Sequence, residues 1–231
     1  MNCKFHLPLL GLVALTATLT YAQEAKKAPA ANPPAKAAGA QGQGEMKLPP
    51  GMTMEDMAAC MAAATPGAQH KVLAQSIGTW TGQCKMWMAE GMEPTVSECT
   101  ANYSSLMEGR YTKCEVSGST PMGPFVGLGT YAFDNVAQKY QSTWLDNCGT
   151  GIGTGTGELS ADGKTMTWTY TFNCPIRKGP TTMRQVEKST GPNAMTVEMY
   201  GSDPKTNKEF KMMEIAYTRK AGAAVPASSG R

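Results

Sequence analysis

Between Trp80 and Arg219, large apolar side chains recur at every second position in short segments separated by turn residues. The segment from Lys164 to Phe172 shows this best, with Met166, Trp168, Tyr170 and Phe172 on one face and Thr165, Thr167, Thr169 and Thr171 on the other. Successive side chains of a strand point to opposite faces, so this alternation predicts a strand packed on one side and wet on the other. Similar strands are predicted near Thr81–Met88, Thr95–Ser105, Tyr111–Ser117, Phe125–Phe133, Tyr140–Asp146, Thr181–Lys188, Met195–Tyr200 and Glu209–Arg219, with Glu108-Gly109, Asp134-Asn135, Asp162-Gly163 and Ser202-Asp203-Pro204 among the turns. About eight to ten antiparallel strands are more than one flat sheet usually carries. Closure removes the exposed edges, and the expected fold is all-β, a closed antiparallel barrel.

Ahead of the barrel the period changes. Met54, Met57, Cys60 and Met61 recur at helical spacing, Pro66-Gly67 interrupts, and Val72, Leu73 and Ile77 follow, which predicts a short helical lead-in over 51–77. Residues 23–50 are rich in Ala, Pro, Lys, Gly and Gln, have almost no large apolar side chain, and are expected to be a disordered linker. Residues 1–22 combine Lys4, an apolar run from Leu7 to Leu19 and small residues around Ala22, the pattern of an export signal. The barrel domain is then expected over 78–220 and a disordered tail over 221–231. An exported protein, periplasmic or secreted, is the expectation.

The formal net charge of +3 includes Lys4, so it falls to +2 without the leader. So small a charge gives no reason to expect a nucleic-acid partner. No membrane span is expected, and oligomeric state is open. Cys60, Cys84, Cys99, Cys114, Cys148 and Cys174 follow the leader, an even set in an exported chain, and predict disulfides. No two form a Cys-x-x-Cys pair, so no metal site is assigned. Cys84 with Cys99 and Cys148 with Cys174 flank hairpin turns and are the candidate pairs.

Gly78-Thr79-Trp80 on the first strand and Arg219 on the last resemble the structural signature of lipocalins and their calycin relatives, which implies a Trp beneath the barrel floor covered by a basic side chain. Three further stretches, Pro124-Phe125-Val126-Gly127-Leu128-Gly129, Tyr140-Gln141-Ser142-Thr143-Trp144-Leu145-Asp146-Asn147 and Lys211-Met212-Met213-Glu214-Ile215-Ala216-Tyr217-Thr218-Arg219, are similar to a bacterial family known only as domain of unknown function 1579. The likeness runs from about Gln69 to Lys220, most of a domain of ordinary size. It implies a calycin-like fold and brings no activity. Cysteines such as Cys148 depart from the family pattern.

Within Cys148–Gly157, glycine stands at every second position, which strips one strand face of side chains. Such a face, at Gly153 for example, leaves ligand space inside a barrel, or else marks a bend or loop. Neither a phosphate loop nor a dinucleotide fingerprint is present. Tyr140, Trp144 and Asp146 share a strand face, and an interior Asp146 would need a partner, for which Arg184 is the candidate. These five residues are the candidate ligand-binding set. His70, the one histidine after the leader, stands without a nucleophile motif, so no catalytic residue is assigned and a packing role is the plainer expectation. The methionines of 52–61 suit Cu(I), although apolar packing explains them as well, and no cofactor is assigned. The preferred function is non-enzymatic binding of a small apolar or amphipathic molecule inside the barrel, which calls for a cavity of roughly 300 Å³. The alternatives are an enzyme of unknown reaction at the barrel mouth and a structural or interaction module without a ligand.

Overall fold

The structure is a computed structural model that describes residues 48–203 and 206–221. The segment expected as an export signal, and nearly all of those expected as linker and tail, lie outside the described residues. Two helices come first, α1 (Met54–Ala64) and α2 (Ala68–Ala74). Thr53 and Asp56 start α1 with a capping box: the Thr53 Oγ1 accepts from the Asp56 N–H at 3.1 Å, and the Asp56 carboxylate accepts from the Thr53 N–H at 2.8 Å.

Ten strands follow: β1 (Gly78–Met86), β2 (Thr95–Leu106), β3 (Tyr111–Thr120), β4 (Gly123–Asp134), β5 (Lys139–Asp146), β6 (Gly153–Leu159), β7 (Thr165–Cys174), β8 (Gly179–Gly191), β9 (Ala194–Ser202) and β10 (Glu209–Arg219). Each pairs antiparallel with the next, and β10 pairs with β1 to close the barrel. This is the expected all-β architecture at the upper end of the expected strand count. The segment expected as a glycine strand or loop divides, with a turn around Cys148 and a true strand from Gly153.

Closure is held at Trp80 and Arg219, the residues that resemble the calycin signature. Trp80 stands opposite Arg219 in the β1–β10 register, and the guanidinium lies 4.0 Å from the indole centre. Arg219 also donates to the carbonyls of Ile77 and Gln75, so one side chain ties the last strand to the chain entering the first. Trp80 is buried, and its Nε1–H donates to Ser76 O at 2.8 Å. A cation over a ring and the pairing of otherwise orphaned carbonyls both favour this seam.

Alternation gives each strand an inward set. On β7 these are Met166, Trp168 and Tyr170, all buried, while Phe172 comes out at the rim, 36% exposed. Across the wall stand Tyr103, Cys114, Tyr131, Tyr140, Val197, Ile215 and Tyr217. The helices lie at the end where β1 begins. Leu73 and His70 of α2 are buried there, whereas α1 buries no residue at all. Met54 and Met61 are 68% and 62% exposed and Met52 and Met57 are half-buried, so packing accounts for only part of the methionine stripe.

Candidate functional site

Aromatic rings from neighbouring strands occupy the space the glycines leave. A Cβ at Gly157 would lie 2.6 Å from the Trp168 ring, one at Gly82 would lie 2.6 Å from Tyr217, and one at Gly155 would strike Ser142 and Tyr170. On β4, Gly127 and Gly129 lie under Trp144 in the same way. The glycine face therefore admits large rings rather than a ligand. Gly153 is the exception, with its nearest neighbour 3.6 Å away, an ordinary contact.

The filled interior holds a small cavity of about 70 Å³ beneath α2, well short of the roughly 300 Å³ that the expected ligand pocket calls for. Val72, Leu73 and Ser76 close it from the helix side. Tyr103, Tyr131 and Trp168 supply aromatic walls, and Glu187 supplies a carboxyl. A larger concavity of about 670 Å³ lies outside the barrel, over exposed side chains such as Thr81, Gln83, Ser117 and Thr218. It is an open trough on the wall.

Strand register explains why Glu187 faces inward. It pairs with Met166 on β7 and Val197 on β9, both buried. The Gln185 Nε2–H donates to its carboxyl at 2.7 Å. Glu187 is half-buried, and the protein packed around its carboxyl pushes the acid up to about 7, while Gln185 and Trp168 pull it back by favouring the charged form. The Trp168 Nε1–H reaches full hydrogen-bond geometry with no partner. Tyr140 Oη and Ser142 Oγ are likewise buried without a partner. Among the described residues, Glu187 takes part in no ion pair. Burial also drives the Tyr103, Tyr131 and Tyr170 phenols upward, so these line the interior as neutral groups.

The residues expected to bind a ligand do not converge. Trp144 Nε1 donates to Asp146 Oδ2 at 2.9 Å, and Asp146 Oδ1 accepts from the Cys148 N–H at 2.9 Å, so a rim interaction satisfies that carboxylate. Arg184 faces outward, 3.2 Å from Glu209 and 4.0 Å from the centre of the Tyr200 ring. The suggested Asp146–Arg184 pair is thus replaced by two separate ones. Tyr140 alone of the set is fully buried among the core rings, 6.4 Å from Trp168 between centres. His70 accepts from the Gly67 N–H at 3.0 Å and packs on Phe133 at 6.0 Å, a capping and packing role.

All six described cysteines carry free thiols, including the four disulfide candidates. Cys99 stands opposite Gly82 and Cys84 opposite Ser97, which makes the first pair a diagonal one. Cys148 and Cys174 lie at the same end of the barrel, beyond β5 and at the end of β7. Burial lifts the Cys84 thiol to about 11 and the Cys114 thiol to about 12. Among the described residues, no cluster of His, Cys, Asp or Glu side chains suits a metal ion, and no helix is long and apolar enough to cross a membrane.

A closed meander of this kind, with the first and last strands tied by Trp80 and Arg219, is a calycin-like barrel. The chain belongs to the family described as Protein of unknown function (DUF1579), whose model matches residues 65–219. Among curated proteins none matches the sequence. Two solved structures are similar in fold at low identity. Rv2717c from M. tuberculosis has a TM-score of 0.49 and 10% identity over 68% of this chain and 99% of that one. The S-type phycobiliprotein lyase CPES from Guillardia theta has a TM-score of 0.43 and 8% identity over 70% of this chain and 96% of that one.

Proposed function

We propose that this is an exported, non-enzymatic binding protein that takes a small amphipathic molecule into its barrel beneath α2. The observation that carries this reading is the Glu187 carboxyl, turned into the cavity without a counter-charge, with the Trp168 N–H directed toward it short of full hydrogen-bond geometry and, elsewhere in the core, the Tyr140 Oη buried without a hydrogen-bond partner. Buried polar groups are nearly always paired, so such a set calls for an occupant. The rings and methionines around it supply the apolar half. Met166, Met183, Met195 and Met199 belong to or border the core, and methionine repacks readily around irregular shapes. The cavity volume limits the occupant in the closed barrel to a few non-hydrogen atoms, and larger ones require α2, seven residues long, to move aside. The leader pattern supports export.

Native mass spectrometry of the protein purified from its own host tests this reading. A retained molecule, released on denaturation, is the expected result. A bare mass, together with no response of the Trp168 indole N–H resonance to any small polar or amphipathic compound, would leave a structural or interaction module as the function. The small cavity favours that second reading.

A further inference from the structure

We propose that the cavity beneath α2 recognises a small organic cation, a primary or N-methylated ammonium, between the Glu187 carboxylate and the faces of Tyr103, Tyr131 and Trp168. This rests on the reading of the barrel as a small-molecule binder and adds the charge of what it binds.

Glu187 places a carboxylate at the wall of the cavity. Ionised, it accepts hydrogen bonds only, and a buried carboxylate needs a proton or a cation to offset its lost hydration. Gln185 and Trp168 present N–H donors toward Glu187, which steadies the charged form without neutralising it. No Lys, Arg or His completes the pair among the described residues. Of the cationic side chains near in sequence, Lys188 is exposed on the far face of the same strand, and Arg184 is taken by Glu209 and Tyr200. The protein thus builds one half of an ion pair and leaves open space beside it.

The walls of that space suit the missing half. Tyr103 and Tyr131 stack with ring centres 6.4 Å apart, and Trp168 lies 5.3 Å from Tyr131. All three border the same cavity as Glu187. Ring faces carry partial negative charge, and the attraction to a cation grows when water is excluded. An anion would be repelled by the carboxylate. A neutral apolar molecule would leave the carboxylate unpaired.

The test uses the full chain with ethylammonium chloride and ethanol, which have equal numbers of non-hydrogen atoms, followed through the Trp168 indole N–H resonance at pH 8 and pH 5.5. So small a ligand is expected to bind no tighter than about the millimolar range. Ethylammonium should shift the resonance at pH 8 and bind at least about tenfold more weakly at pH 5.5, where the acid near 7 is protonated. The titratable groups that feel the Glu187 charge are Tyr103, Cys114, Tyr131 and Tyr170, all held neutral over this range. On α2 the titratable side chains are His70, packed on Phe133, and exposed Lys71. Glu187→Gln separates them from the carboxyl: it should abolish the pH dependence and weaken ethylammonium at least about tenfold, leaving ethanol unchanged. Tyr131→Leu, which keeps the carboxyl and removes a ring, should also weaken the cation selectively and serves if the first variant fails to fold. Equal binding of both probes, unaffected by Glu187→Gln, would overturn the cation assignment while sustaining small-molecule binding. No response to either probe would overturn both.

Discussion

Replacing Gly157 by alanine should destabilise the barrel, whereas the same change at Gly153, four residues earlier on β6, should not. The added Cβ at Gly157 would lie 2.6, 2.7 and 3.1 Å from three atoms of the Trp168 ring, against 3.6 Å for the nearest atom at Gly153. Ordinary contact begins near 3.4 Å, so the indole must retreat by close to an ångström. Trp168 is 1% exposed and wedged by Tyr131, Tyr140 and Tyr170, so the ring can shift only by giving up those contacts for the small cavity it borders. Overpacking of this kind costs about 1–3 kcal/mol. At Gly153 the lost freedom of the unfolded chain should instead stabilise by about 0.4–1 kcal/mol. With a urea slope of about 2 kcal/mol/M, the two variants should have unfolding midpoints separated by about 1 M. Trp168→Leu should cost less in the Gly157→Ala background than in the parent, because contacting sites are not additive. Equal midpoints for the two alanine variants, or a double mutant whose losses simply add, would refute the idea that this glycine exists to seat the ring.

Other perturbations probe the seam, the buried acid and the thiols. Trp80→Ala should cost about 3–5 kcal/mol, as for a large buried aromatic residue, and Arg219→Ala should lower the melting temperature by several degrees because it orphans two carbonyls; unchanged melting would show that the seam is ornamental. Glu187 is held at about 7 against an ordinary 4.5, so the folded state binds its proton more tightly than the unfolded chain does. Its cost is absent below about pH 4.5, grows up to about pH 7 and then levels off at no more than about 3 kcal/mol. Glu187→Gln should therefore match the parent in thermal melts at pH 4 and exceed it at pH 8; equal melting at pH 8 contradicts the burial of that acid. In the reduced protein, exposed Cys60 and Cys148 should react first with a thiol reagent, while Cys84 and Cys114, buried and lifted to about 11 and 12, should wait for unfolding. Mass spectrometry of the timed reaction distinguishes the two classes.

Much of the architecture is legible in the residues because it is local or periodic. Met166, Trp168 and Tyr170 share a face for the reason any strand alternates, and Trp80 with Arg219 marks the two strands that must meet. The site is less legible because it depends on phase and on neighbours. Arg184 and Glu187 differ by an odd number of positions on β8, so one faces water and the other the core. The inward face of β8 carries Met183, Gln185 and Glu187, one apolar and two polar side chains, so polarity alone does not mark it. The signal that finds Glu187 is that it continues the period of Met183. Likewise, glycine at every second position correctly announces a bare face, but what fills it is decided by Trp168 and Tyr170 across the strand pair, and pairing register is not written in either strand alone.

The seam also governs when the barrel can form. Every strand pairs with its predecessor as the chain lengthens, except at the β1–β10 join, where Arg219 reaches back over a separation of 142 residues to Ile77. Until that last strand exists, β1 has an open edge and Trp80 has no cation above it. An unfinished chain can thus assemble hairpins in order but never a cylinder, and closing the long loop sets a slow, late step in folding. A chain that ends before β10 would be left as a curled sheet with two open margins, a substrate for aggregation or for proteolysis rather than a slightly weaker barrel.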